Sequence, residues 1–243
     1  MFWAESRERQ GKFYGLAWFF LVSSYLSWVK PGAHTILNGM VRGQDTRAQL
    51  LNAAEQLVNE QGFAATSVEK VIDQVGVTKG SFFHHFKTKS DLGRALIDRY
   101  AERDKNMLRG CMNQAERLSD DPLQQVLLFV GLMIDVAETL DRERNPACLF
   151  ATYCFESGLF DEATHETIKA SFSSWTDAVA GKLRKSKVAH QLDEAELESL
   201  ADMLTVLFEG AFVVARVRPG RGVFASQLRH YRNYLKLLLD HPS

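Results

Sequence analysis

The chain has 243 residues and a net charge of −1, from 29 Lys+Arg against 30 Asp+Glu, with 46% hydrophobic and 24% charged residues. That balance is a globular one, long enough for a sizeable core, and it excludes disordered and fibrous chains. Three cysteines, Cys111, Cys148 and Cys154, cannot all pair and exclude a disulfide-stapled secreted module, while near-zero charge excludes a generic basic coat for nucleic acid.

Residues 1–43 read as an N-terminal extension. Nine of the 26 aromatic residues fall within the first 39 positions. Phe13 to Val29 is an uncharged run of 17 residues, with Arg7, Arg9 and Lys12 before it and Lys30 after it. As a helix it spans about 25 Å, slightly short of a bilayer core of about 30 Å. No A-x-A-like cleavage site comes after it, Lys30-Pro31-Gly32 ends the run, and Asn38-Gly39 reads as a turn. Three readings fit: sequence upstream of a true start at Met40, a membrane anchor or signal, and a soluble or dimer-packing appendage. The first is favoured, because the residues after Met40 read as the start of a cytoplasmic protein.

From residue 45 the pattern is helical. Thr46-x-x-Gln49 is a capping box, followed by Leu50, Leu51, Ala54, Leu57 and Val58 at helix spacing up to Gly62. Phe63 comes next as a core plug. Thr66-x-x-Glu69 is a second box, opening a short helix with Val68, Val71, Ile72 and Val75 on its apolar face, and Gly76 breaks it. Thr78 caps a third short helix holding Phe82, Phe83 and Phe86. Thr88-x-x-Asp91 caps a longer one with Leu92, Ala95, Leu96, Tyr100 and Met107. Two short helices across a glycine turn, braced by a third, describe a helix-turn-helix. From Gln74 to Ser90 there is no acidic residue, whereas Lys79, His84, His85, Lys87 and Lys89 are present. A phosphate backbone is met by such a surface, with cations, small hydroxyls and an open helix N-terminus.

Downstream, Asp121-Pro122 starts a helix through Val126, Val130 and Ala137, and Asn145-Pro146 restarts another through Cys148, Phe150, Tyr153 and Cys154. Asp161 caps a long one with Ile168, Trp175 and Leu183. Asp193-x-x-Glu196 boxes the next, ended by Pro219-Gly220, and Leu228, Tyr231 and Leu235 mark the last. No segment alternates like a strand, so the expected fold is all-α. Arg216, Arg218 and Arg221 form a basic turn, read as a solvated interhelical loop.

No nucleophile elbow, P-loop or dinucleotide fingerprint is present, so no catalytic residues and no cofactor are expected. Cys148 and Cys154, six apart, lie roughly 120° apart around a helix and share no metal face, so no metal site is expected either. Phe129, Met133, Tyr153, Trp175 and Phe208 suit an apolar effector pocket, although residues at such spacing are more often simply core.

The run Gly76-Val77-Thr78-Lys79-Gly80-Ser81-Phe82-Phe83-His84-His85-Phe86-Lys87-Thr88-Lys89 resembles the TetR family of bacterial transcriptional regulators, and the resemblance covers residues 44–104. It implies a three-helix DNA-binding head at 44–104 and a larger helical effector-binding and dimerisation domain at 105–243. Helix three, about Lys79 to His85, then enters the major groove, with Thr78, Lys79, Gly80, Ser81, Phe83 and His84 facing DNA. Lys89 matches the family's phosphate-binding lysine, and Thr66 and Ser67 are expected phosphate contacts. Phe83 stands where the family usually has tyrosine and has no hydroxyl to donate, and His85 replaces a frequent aromatic. Ala147-Cys148-Leu149-Phe150, followed by Glu156, resembles an element of electrophile-responsive repressors, in which Cys148 is the reactive thiol; a buried structural cysteine is the plainer reading. The resemblance implies a homodimeric repressor on double-stranded, pseudo-palindromic DNA, released by a small-molecule or stress effector. The last two helices, about 193–215 and 224–239, are the expected dimer face. A membrane-anchored helical sensor is the alternative if residues 13–29 are inserted.

Overall fold

The computed structural model describes residues 44–142, 146–186 and 192–240. The uncharged run Phe13 to Val29 and the start at Met40 lie outside the described residues. Residues 45–243 form one compact unit. Its order is α1 (Gln44–Gln61), α2 (Val68–Val75), α3 (Lys79–His85), α4 (Lys89–Leu118), α5 (Pro122–Leu140), α6 (Leu149–Phe155), a 3-10 turn (Ser157–Leu159), α7 (Glu162–Lys185), α8 (Glu194–Val217) and α9 (Val223–Asp240). Among the described residues every regular element is helical.

Local sequence explains most of the boundaries. Ser67, Thr78, Thr88, Asp121, Asp161 and Asp193 each accept a backbone N–H of the helix they open, supplying a partner that the first turn lacks. At Thr88 and Asp193 the bond is returned by Asp91 and Glu196, which completes two of the expected capping boxes. Gly76 closes α2 in the left-handed region, with φ of +75° and its N–H on the Ile72 carbonyl. A Cβ there would meet nothing within 4 Å, so dihedral angle rather than space calls for glycine.

Three expected boundaries are corrected. Thr46 does not open α1, which already runs from Gln44. Ser67, not Thr66, caps α2, because the Thr66 hydroxyl turns inward. The helix expected from Asn145-Pro146 begins at Leu149, with Cys148 as a cap residue whose side chain does not bond the first turn.

The head packs Leu50, Ala54, Val71, Phe82, Leu92, Leu96 and Ile97 into one apolar cluster. That cluster continues without a break into Cys148, Leu149, Phe150, Tyr153 and Ile168. The expected boundary at residue 104 falls inside α4, a 30-residue helix whose first half belongs to the head and whose second half packs on α5 and α7. Glu55 on α1 holds α4 from the side, pairing with Arg99 at 2.6 Å and Arg103 at 2.5 Å. Among the described residues, α5 alone is long and apolar enough to cross a membrane. Its Val126, Phe129, Val130, Met133 and Ala137 are fully buried against neighbouring helices, so its apolar character is used by the core.

Candidate nucleic-acid interface

The residues around the α2–α3 turn form an open, polar face over an apolar floor. Val71 and Phe82 face inward and are fully buried, and Phe82 meets Phe86 at 5.7 Å and the edge of Phe83 at 5.3 Å. With that side of the helix committed to the core, helical spacing turns Lys79, Gly80, Phe83 and His84 outward, and all four are exposed. Thr78 is exposed as well; its side chain accepts the Ser81 N–H at 3.2 Å and its carbonyl accepts the Phe82 N–H at 3.2 Å. The α3 N-terminus therefore points outward with small hydroxyls beside it.

Lys79 bonds Glu69 at 3.2 Å, each side chain being about two-thirds exposed. The Glu69 carboxyl is held below the usual carboxylate range by backbone hydrogen bonding at the start of α2 and then by Lys79. An ion pair this exposed contributes little and exchanges readily for another anion. His84 and His85 meet edge to face at 5.1 Å, and partial burial, then His84 and Arg47, pushes the His85 imidazolium down. Arg47 lies 5.2 Å above the Phe86 ring.

Two expected contacts look different in three dimensions. Thr66 is buried, donates its hydroxyl to the Gly62 carbonyl at 2.8 Å and gives its N–H to Phe63, so it is withdrawn from a phosphate role; neighbouring Ser67 is half-buried and spends its hydroxyl on the Lys70 amide. Lys89 is folded back over the α1–α2 turn, donating to the Ala64 carbonyl at 3.1 Å and lying 4.5 Å from the centre of the Phe63 ring. Burial there lowers its pKa, opposed by the nearby Glu156 carboxylate. Sequence reasoning missed Glu69 as the partner of Lys79 and Arg47 as the cation over Phe86. The first had a signal, an acid in the first turn of the preceding helix; the second rested on packing alone.

The six effector candidates divide into two groups. Phe129, Trp175 and Phe208 are neighbours, with ring centres 5.9 and 6.5 Å apart, and Met133 is fully buried on the same helix as Phe129. Tyr153 is elsewhere: it stacks on Phe160 at 3.9 Å, packs on Phe63 at 5.6 Å, and donates its hydroxyl to the Gly93 carbonyl at 2.9 Å. It joins the head to the rest of the chain rather than lining the aromatic group. Cys148 is buried, with the Tyr100 hydroxyl 3.9 Å from Sγ. Burial, followed by the Glu209 carboxylate, pushes its thiol well above the usual range. Two interior carboxyls escaped the sequence reading. Asp104 accepts the Trp175 indole N–H at 2.8 Å and is pushed up to about 6, first by burial. Glu209 is raised by burial. Among the described residues no group of three or more His, Cys, Asp and Glu is arranged to hold a metal ion.

Comparison with known proteins gives two family matches. Residues 50–96 match the family described as bacterial regulatory proteins, tetR family, and residues 122–225 match the C-terminal domain of LmrA/YxaF-like transcriptional regulators. Among relatives, the transcriptional regulator LmrA of Bacillus subtilis is 24% identical over 173 residues, covering 70% of this chain and 86% of that protein. The regulator YxaF of the same organism, itself uncharacterised, is 24% identical over 173 residues, covering 70% and 85%. Among solved structures, a TetR-family regulator from Agrobacterium tumefaciens superposes with a TM-score of 0.64 at 22% identity, covering 79% of this chain and 98% of that one.

Proposed function

The chain belongs to the TetR family of DNA-binding transcriptional regulators, and from that premise we propose that it is a homodimeric repressor, released from a pseudo-palindromic operator by a small apolar or aromatic effector. The observation that carries this reading is the outward-facing α3 N-terminus, where Thr78, Lys79, Gly80 and Ser81 stand over a floor closed by Phe82. A helix presented in this way fits the major groove, with its first residues at base edges and phosphates. Lys79 then exchanges Glu69 for DNA, and Lys89 exchanges the Ala64 carbonyl for a phosphate. Ser67, Phe83 and His84 flank them.

One head makes too few contacts for operator selectivity, so two are needed. The apolar residues left exposed on α8 and α9 support a dimer face there: Val206 (66% exposed), Val213 (60%) and Val217 (77%), with Tyr234 and Leu237 (61%). Side chains of this kind on two adjacent helices are covered at low cost by the same two helices of a second copy. The effector reading rests on Phe129, Met133, Trp175 and Phe208, with the Asp104 and Glu209 carboxyls as polar handles. An effector needs only differential affinity for a dimer whose head spacing mismatches the two half-sites. The protein acts in the cytoplasm.

The test is a mobility shift of the full chain on DNA flanking its own coding region. Replacing Lys79 and Lys89 together by alanine is expected to abolish binding while the helical circular dichroism signal is kept. Lys79→Ala alone is the cleaner arm, because Lys89 also bonds the α1–α2 turn. Retained, salt-insensitive binding by the double variant contradicts the reading.

A further inference from the structure

The sharp turn between α1 and α2 is held from outside the head. At the end of α1 the last carbonyls have no partner within the helix. The Arg216 guanidinium, from the last turn of α8, supplies one: its Nη2 donates to the Asn59 and Glu60 carbonyls at 3.1 and 3.2 Å. Its positive charge also complements the helix C-terminus. On the other side of the turn, Glu156, which closes α6, accepts the Phe63 and Ala64 N–H groups on one oxygen, Oε2, at 2.9 and 3.0 Å. The turn is shaped to receive it. Gly62 has φ of +84°, and a Cβ there would lie 2.5 Å from Glu156 Oε1. The basic turn expected to be a solvated loop therefore contributes a structural contact through Arg216.

We propose that Glu156 and Arg216 are positioning residues which set the orientation of the DNA-reading head by capping the two sides of the α1–α2 turn. The two caps come from different helices, and those helices are tied together inside the protein. Phe212, one turn before Arg216 on the same side of α8, packs against the apolar cluster that holds Cys148, Leu149 and Phe150 at the start of α6. A change in how α6 and α8 pack at that inner contact is thus delivered to the turn as a change in the spacing of its two caps. Lys89 sits at the same joint, its ammonium bonding the Ala64 carbonyl beside the Glu156 cap until a phosphate takes it. Phe63 makes the joint stiff, its ring packing on Phe160 at 4.8 Å and on Tyr153.

This inference rests on the repressor reading for its DNA measurements, and on hydrogen exchange independently of that reading. Full-length Glu156→Ala and Glu156→Gln are compared with the unaltered protein on DNA selected by the latter from random sequence, using duplexes that differ only in half-site spacing. Glu156→Ala is expected to bind roughly tenfold or more weakly, the scale of one lost charge-assisted hydrogen bond, and to lose the preference for one spacing. The amides of Phe63 and Ala64 should lose their protection from exchange in the same variant. Glu156→Gln keeps an acceptor oxygen and should recover most of the affinity and the spacing preference. A Glu156→Ala protein that melts at lower temperature but keeps affinity and spacing preference makes Glu156 a stability residue and overturns the proposal. If the unaltered protein selects no DNA, the repressor reading fails, and unchanged exchange at Phe63 and Ala64 in Glu156→Ala then overturns the capping itself.

Discussion

Asp104 carries a cost that the fold does not need for its geometry. Its carboxyl is pushed up to about 6 by burial and then by the nearby Glu209 acid, although the Trp175 indole bonds it. Its folded pKa therefore lies above the ordinary value of 3.8. Between about pH 4 and 6 the folded protein holds a proton that the unfolded chain has released, so this residue makes stability fall as pH rises through that window, and the penalty is complete above it. Asp104→Asn keeps an oxygen for the indole and removes the charge. It should be more stable than the unaltered protein at pH 7.5 by on the order of 2 kcal/mol, and little different at pH 4. Thermal melts of both proteins at the two pH values check this; equal melting at pH 7.5 contradicts it. Cys148 shows the same physics at a thiol. Six residues further on, Cys154 is exposed, yet partial burial and Glu209 raise its thiol in the same direction.

At the level of elements, the caps do most of the specifying. Thr88 is exposed and packs against little, yet its exchange of bonds with Asp91 (3.0 and 2.9 Å) fixes where α4 begins and so the angle at which α3 is presented. Thr88→Ala should cost about 1 kcal/mol, which lowers the melting temperature by roughly 2–4 °C in a chain of this size. Differential scanning calorimetry reads the shift, and an unchanged melting temperature contradicts the role. Elements like these were legible because their signals are local. Thr78, Thr88, Asp121, Asp161 and Asp193 announce helix starts within four residues, and Gly62 and Gly76 announce stops. The buried and exposed sides of α3 were legible for the same reason, since one short run carries both sets of residues. Thr66 and Ser67 were harder: adjacent hydroxyls compete to be the cap, and the loser turns inward to Gly62, an outcome decided by the angle of the loop. Contacts between residues far apart in sequence left no pattern to read. Glu156 with Phe63, Arg216 with Asn59 and Trp175 with Asp104 span 71 to 157 positions.

For the whole molecule, the near-neutral charge conceals a division of labour. Residues 40–104 hold nine basic and nine acidic residues, and residues 105–243 hold 16 and 19, so positive charge is concentrated on one short strip without acids, from Gln74 to Ser90. A site-specific reader needs no more than that at each of two half-sites. Nor are the head and the larger helical part separate bodies along the chain. α4 runs through both, their apolar residues form one cluster around Tyr153 and Phe150, and Glu156 and Arg216 reach back to the α1–α2 turn. In the proposed repressor two such chains, joined through α8 and α9, read one duplex with the α3 faces. This arrangement is tested most directly by titrating the full chain onto a duplex that it has itself selected, measuring stoichiometry and the salt dependence of affinity together. Two chains per duplex are expected, with affinity falling steeply and linearly in log–log form as salt rises. One chain per duplex, or an affinity indifferent to salt, contradicts this mode of binding.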